Sequence, residues 1–119
     1  ALAEAEPART LYSGVIAEGA RRWSGNVQRN RATVGGAVAT AAANDPLVAA
    51  LLACDTVLVL YGQSGTQEMS LADFLPRRVY ALAAPALITG LIVAQPANRS
   101  GTALATVART PADAPIVLA

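Results

Sequence analysis

The chain has no histidine and no lysine. Without imidazole there is no Ser-His-Asp triad, no Cys-His dyad and no histidine general base. Without lysine, Schiff-base chemistry and the lysine of a P-loop are excluded as well. A single cysteine, Cys54, can form no intrachain disulfide and no multi-cysteine zinc or iron–sulfur site. Charge is sparse: nine basic residues, all arginine, stand against eight carboxylates, a net charge of +1. The arginines are spread along the chain, so charge signals neither a nucleic-acid partner nor an anionic membrane surface. Long apolar runs are missing too. Asn44, Asp45 and Asp55 interrupt the most apolar region, short of the roughly 18 residues a membrane span needs. No basic n-region of a signal peptide is present. A reduced, buried Cys54 fits a cytoplasmic protein.

What is there is apolar but small. Of 119 residues, 54% are hydrophobic and only 4% aromatic, and much of the apolar share is alanine. Each buried position therefore removes little surface from water, and the length suits one domain with a modest core. The chain opens on Ala1 and an Ala/Glu run rather than on methionine, and reads as a piece of something larger.

Residues 1–9, interrupted by Pro7, read as a linker or the tail of a preceding helix. Thr10 is a candidate cap for a helix with Leu11, Val15, Ile16, Ala20 and Trp23 on one face. Gly14 and Gly19 weaken that helix by roughly 1 kcal/mol each, so packing must hold it. Ser24-Gly25-Asn26 ends it, and the polar strip from Val27 to Arg31 leads into Gly35-Gly36 and an alanine-rich run. Asp45-Pro46 is a helix start, with Asp45 as N-cap. The helix it opens, Leu47 to Cys54, is apolar nearly all round and should be buried.

Thr56 to Tyr61 is rich in β-branched residues and predicts a strand. Gly62-Gln63-Ser64-Gly65 supplies a turn and Thr66 to Met69 the return strand of a hairpin. Ser70-Leu71-Ala72-Asp73 resembles a capping box for one helical turn ending near Pro76. Ala86–Val93 and Thr102–Val107 predict two more strands, joined as a second hairpin by the loop Gln95–Gly101. Ile116-Val117-Leu118 opens a further strand or helix. The order predicts an α+β fold: an antiparallel sheet flanked by helices on one face.

The strip Arg29-Asn30-Arg31-Ala32-Thr33-Val34-Gly35-Gly36 resembles the RN-x-x-T-(I/V)-G-G signature of the FAD-binding subunit of molybdenum hydroxylases, the family of xanthine dehydrogenases and aerobic carbon monoxide dehydrogenases. The resemblance continues through Asn44-Asp45-Pro46, the passage from Ala50 to Leu60, Leu71-Ala72-Asp73-Phe74 and Leu87-Ile88-Thr89. It reaches Val107-Ala108-Arg109 and Pro111-Ala112-Asp113. It implies the second subdomain only of an FAD-binding domain in an oxidoreductase. There flavin accepts electrons from iron–sulfur clusters and passes them to an external acceptor. It implies as partners the iron–sulfur and molybdopterin subunits or domains of the same complex. Thr33, Val34, Gly35, Gly36 and Ala37 would line the FAD, and Asp45 would reach its ribose or adenine side. The family's other glycine-rich flavin loop belongs to a preceding subdomain, so the fragment alone is expected to be inactive and to give up many flavin contacts.

The residues carry a physical reading of their own. Consecutive glycines let a backbone approach a ligand that any Cβ would exclude. A helix starting beside them would bring free amides and a positive dipole end toward a pyrophosphate, and Thr33 adds a hydroxyl. The other reading is a tight turn where two backbones pack closely. Asp45 likewise has two readings, a plain helix cap, which its place before Pro46 favours, or a ligand contact. The family usually has a polar residue where Ala37 stands, an aliphatic one at Gln28, its acidic residue at Pro46 and a lysine late in the domain. Ala37 and the missing lysine support an alternative function, a structural or interaction domain of the same fold that has lost flavin.

The other polar and aromatic residues read more plainly. Arg29 and Arg31 suit phosphate or the tying of loop backbone, and Arg21-Arg22 and Arg77-Arg78 suit solvent or subunit contacts. Trp23 suits the core at helical spacing or a stack on flavin. Tyr61 and Tyr80 suit strand-edge packing, and Cys54 an inert thiol. No catalytic residue and no metal ligand is assigned.

Overall fold

A computed structural model describes residues 2–82, 86–98, 100–110 and 113–119. Ala1, residues 83–85, Arg99, Pro111, Ala112 and the side chain of Tyr80 lie outside what it describes. The chain is α+β, as its pattern predicts. A 3-10 turn, Leu2–Glu4, precedes α1 (Glu6–Thr10) and a second 3-10 turn, Leu11–Gly14. Then come α2 (Val15–Trp23), α3 (Asn26–Arg31), α4 (Val34–Thr40) and α5 (Pro46–Ala53). Strands β1 (Val57–Gly62) and β2 (Gly65–Ser70), helix α6 (Leu71–Ala81) and β3 (Leu87–Ile92) follow, before two short strands, β4 (Thr106–Val107) and β5 (Val117–Leu118).

The main sheet is antiparallel in the order β2-β1-β3. Gly62 pairs with Gly65 across the expected hairpin, and Gly65 takes a φ of 91°, which glycine adopts without a Cβ clash. Leu58 and Leu60 point inward while Tyr61 on the opposite face is exposed, the alternation a half-buried strand must show. Leu58 pairs with Leu91 and Leu60 with Ile88, with a register shift between Val59 and Leu60. That bulge is what lets Ile88 and Leu91, three residues apart, serve one face. Thr89 sits at the bulge and donates its hydroxyl to the Val59 carbonyl at 3.1 Å. The core runs from Phe74, Leu71 and Leu58 through Val38 and Leu51 to Ile16 and Ala17.

Several local expectations need correction. Thr10 does not cap a helix; it closes α1 and its hydroxyl donates to the Glu6 carbonyl. Tyr12 (φ 49°), Ser13 (φ 54°) and Gly14 (φ 77°) form a left-handed turn that delays α2 to Val15. Gly14 is thus the N-cap of α2 rather than a weak point within it. Residues 2–4 and 6–10 are helical and pack Ala3 and Ala8 into the core. Helix α6 passes through Pro76 to Ala81. The proline deprives the Ala72 carbonyl of its partner, and both residues face solvent, where water can replace the bond. Tyr80 therefore lies in a helix, and Tyr61 is exposed on the central strand rather than packed at an edge.

The Gln95–Gly101 segment does not close a hairpin. β3 pairs with β1, and β4 pairs with β5 in a separate two-stranded sheet. The chain after β3 turns instead to the helices. The Thr102 hydroxyl donates to the Tyr12 carbonyl, Arg22 donates to the Thr106 hydroxyl at 2.8 Å, and Asn44 donates to the Pro115 carbonyl at 2.6 Å. No helix among the described residues is long and apolar enough to cross a membrane.

Candidate functional site

The glycine pair lies inside a helix rather than before one. Thr33 is the N-cap of α4, in extended backbone, and its side-chain oxygen accepts from the Gly36 amide at 3.0 Å. The Ala37 amide donates to the Thr33 carbonyl at 3.0 Å. The amides of Val34 and Gly35, at the first two helical positions, have no acceptor within the helix. Because Thr33 Oγ1 acts as acceptor toward Gly36, its own proton remains available to donate.

The two glycines do different work. A Cβ on Gly35 would stand 3.3 Å from the Ile88 carbonyl oxygen, so this glycine lets α4 pack on β3. A Cβ on Gly36 would meet only Thr33 Oγ1, at 3.1 Å, and otherwise project into open space. Gly36 is exposed, with Thr33 on one side and Thr40 on the other; the Thr40 hydroxyl donates to the Gly36 carbonyl at 2.9 Å. The face of α4 that meets solvent is thus a short polar stripe around a residue with no side chain. Thr40 was not singled out from sequence, although its spacing of four from Gly36 and seven from Thr33 marks the same helical face. Val34 is half-buried, and the Ala37 side chain is buried at 3% exposure with its amide already bonded.

Two hollows flank α4. One, of about 340 Å³, is lined by Trp23, Asn30, Thr33, Val34 and Ala37 among others. The other is a cleft of about 580 Å³ lined by Trp23, Arg31, Thr40 and Asp45 among others. Half-buried Trp23 is common to both. Asp45 caps α5, its Oδ1 accepting from the amides of Leu47 at 2.9 Å and Val48 at 3.1 Å. Its Oδ2 accepts from Trp23 Nε1 at 2.8 Å. The capping role read from Asp45-Pro46 is what the fold uses.

Arg29 ties backbone: it donates to the carbonyls of Arg21 and Ser24, each at 2.6 Å, and to Asn26 Oδ1. Arg21 and Arg22 both hold Glu18, and Arg78 donates to the Ala41 carbonyl. The Arg22 and Arg21 guanidiniums hold the Glu18 carboxyl below its ordinary value. Cys54, fully buried, has its thiol pushed up by burial and then by the Asp55 charge. Among the described residues no cluster of three or more His, Cys, Asp or Glu could hold a metal ion.

The donor set suits a dinucleotide phosphate better than it suits chemistry of its own. Two amides without helical acceptors and one hydroxyl proton stand at the start of α4, Gly36 presents bare backbone to open space, and Trp23 and Thr33 line one hollow together. A search of curated proteins found no match, and a search of solved structures found none either. The model of a protein family, the FAD binding domain in molybdopterin dehydrogenase, matches residues 2–96. That span holds α1 to α6, all three strands of the main sheet, the Thr33–Ala37 segment and Asp45. The chain belongs to the family of FAD-binding domains of molybdopterin dehydrogenases.

Proposed function

We propose that this chain forms one side of an FAD site, with Thr33, Gly36 and the amides of Val34 and Gly35 turned toward the pyrophosphate. Gly36 carries the reading: a Cβ there would fill open space that a phosphate can occupy instead. Thr33 donates its hydroxyl proton to a phosphate oxygen, while Gly35 serves by holding α4 against β3. Thr40 and Arg31 extend the polar surface along the neighbouring cleft. Ala37 contributes only backbone shape, and Asp45 acts on the site through the residues it fixes. When bound, the flavin supplies the redox step, taking electrons from iron–sulfur clusters and yielding them to an external acceptor. The polypeptide supplies position and electrostatics.

On this reading the chain is part of a larger FAD-binding domain of a cytoplasmic molybdenum-hydroxylase-type oxidoreductase. Its partners are the iron–sulfur and molybdopterin subunits or domains, and the isolated chain has no activity of its own. The test is flavin absorbance per protein together with a melting curve. Gly36→Val should lower flavin content while the fold survives. Thr33→Val should do less to the ligand, since one hydrogen bond to a charged group is worth about 1.5–3 kcal/mol. Full flavin occupancy in a folded Gly36→Val protein would overturn the assignment. The buried Ala37 and the absence of lysine favour a second reading, a structural or interaction domain that has lost flavin. That reading stands if the wild-type flavoprotein complex takes up no flavin.

A further inference from the structure

Asp45 divides its two oxygens between two neighbours. Oδ1 satisfies the first amides of α5, and Oδ2 receives the indole N–H of Trp23 at 2.8 Å, from a residue 22 positions earlier. Capping needs only one oxygen, and serine or asparagine does it as well as aspartate. The second oxygen is what the indole uses. With 9% exposure and both oxygens engaged, the carboxylate offers little to an outside ligand. The ring it holds does the opposite. Trp23 is half-buried and walls both hollows beside α4, the one reached by Thr33 and the one reached by Thr40 and Arg31.

We infer that Asp45 is a positioning residue that locks the Trp23 indole as the shared wall of these hollows, presenting its face to a planar heteroaromatic ligand. A free indole can turn about two side-chain bonds, whereas one anchored through its N–H keeps its plane fixed. The hydrogen bond is charge-assisted and partly shielded from water, which makes it stronger than a neutral one. The ligand half of the inference rests on the flavin reading above; the anchoring half does not.

The test separates capping from anchoring. Asp45→Ser keeps a good N-cap oxygen but is too short to serve the indole as well. Trp23 is the only tryptophan, so its indole N–H gives a single resonance that can be followed directly. In Asp45→Ser that proton should exchange at least about tenfold faster, while far-UV circular dichroism shows the helices retained. FAD affinity of the flavoprotein complex should fall by about two- to tenfold, the cost of ordering one freed side chain on binding. In a Trp23→Ala background the same Asp45→Ser change should cost no further affinity. Unchanged indole exchange in Asp45→Ser overturns the anchoring. Released indole with undiminished FAD affinity, or an equal affinity loss in the Trp23→Ala background, overturns the positioning role. Absence of FAD uptake by the wild type would instead overturn the flavin reading and with it the ligand half, leaving indole exchange to decide the anchoring.

Discussion

Gly19 and Ala50 bring α2 and α5 into backbone contact. A Cβ on Gly19 would lie 2.8 Å from Ala50 Cβ and 2.7 Å from the Pro46 carbonyl oxygen. Gly19 weakens α2 as an isolated helix, yet it is what lets that helix sit on α5. Gly19→Ala should therefore destabilise the protein despite alanine's better helix propensity. The expected loss is about 1–3 kcal/mol from overpacking, read as a lower melting temperature or denaturation midpoint. A neutral or stabilising outcome would show that the two helices can slide apart at no cost.

Gly35 should behave as a packing residue. Gly35→Val, set against the Ile88 carbonyl, is expected to cost about 1–3 kcal/mol of stability. Gly36→Val should cost flavin first. Melting curves and flavin content measured together on the two variants check the contrast; equal effects of both changes on both readouts would contradict it.

The left-handed turn before α2 stores strain. Ser13 holds a φ of 54° with a side chain that disfavours it. Ser13→Gly should raise stability by about 1 kcal/mol, the difference between relieved steric cost and the extra freedom of glycine in the unfolded chain. A denaturant titration decides this, and a loss of stability would show that the serine side chain makes compensating contacts.

Cys54 should react slowly. It is fully buried, and burial together with the nearby Asp55 charge holds its thiol above the ordinary value. Less thiolate is present at neutral pH, and the sulfur is shielded from reagents. An aromatic disulfide reagent at pH 8 should label the native protein far more slowly than the unfolded one. Equally fast labelling would place the sulfur at the surface.

Glu18 links stability to acid. Its folded value is depressed, first by the hydrogen bond from Arg22 and then by that from Arg21. A depressed carboxylate contributes fully above its unfolded value, and that contribution is lost as pH falls through the folded value. Stability should decline on the acid side of the usual carboxylate range. The Glu18 share should stay under about 1 kcal/mol, because the pair is solvent-exposed. Glu18→Gln should flatten that part of the pH profile, and high salt should shrink it. An unchanged profile in Glu18→Gln would assign the acid sensitivity elsewhere.

Local chemistry made much of this fold legible in the sequence. Asp45-Pro46 caps α5 because a carboxylate and a proline suit a helix's first turn whatever surrounds them. Gly62 to Gly65 closes the β1–β2 hairpin, and Ser70 accepts from the Asp73 amide, for the same reason. The RN-x-x-T-V-G-G strip marked the family from side-chain identity alone. Where the chain went wrong against its pattern, the partner lay far away in sequence. β3 pairs with β1 because Leu58 and Leu60 needed Leu91 and Ile88 on their face, so Gln95–Gly101 had no strand to return to. Residues 2–10 became part of the core through Ala3 and Ala8, which no local periodicity distinguishes from a linker.

The site divides the same way. Sequence alone determined what Thr33, Gly35, Gly36 and Asp45 can offer, because these residue types supply a bare backbone, a hydroxyl or a carboxylate at a helix start. Only the tertiary structure decided their separate duties: Gly35 to Ile88, Gly36 to open space, Asp45 to Trp23. Residue type sets which contacts a position can make, and the packing of distant segments sets which of them it does make.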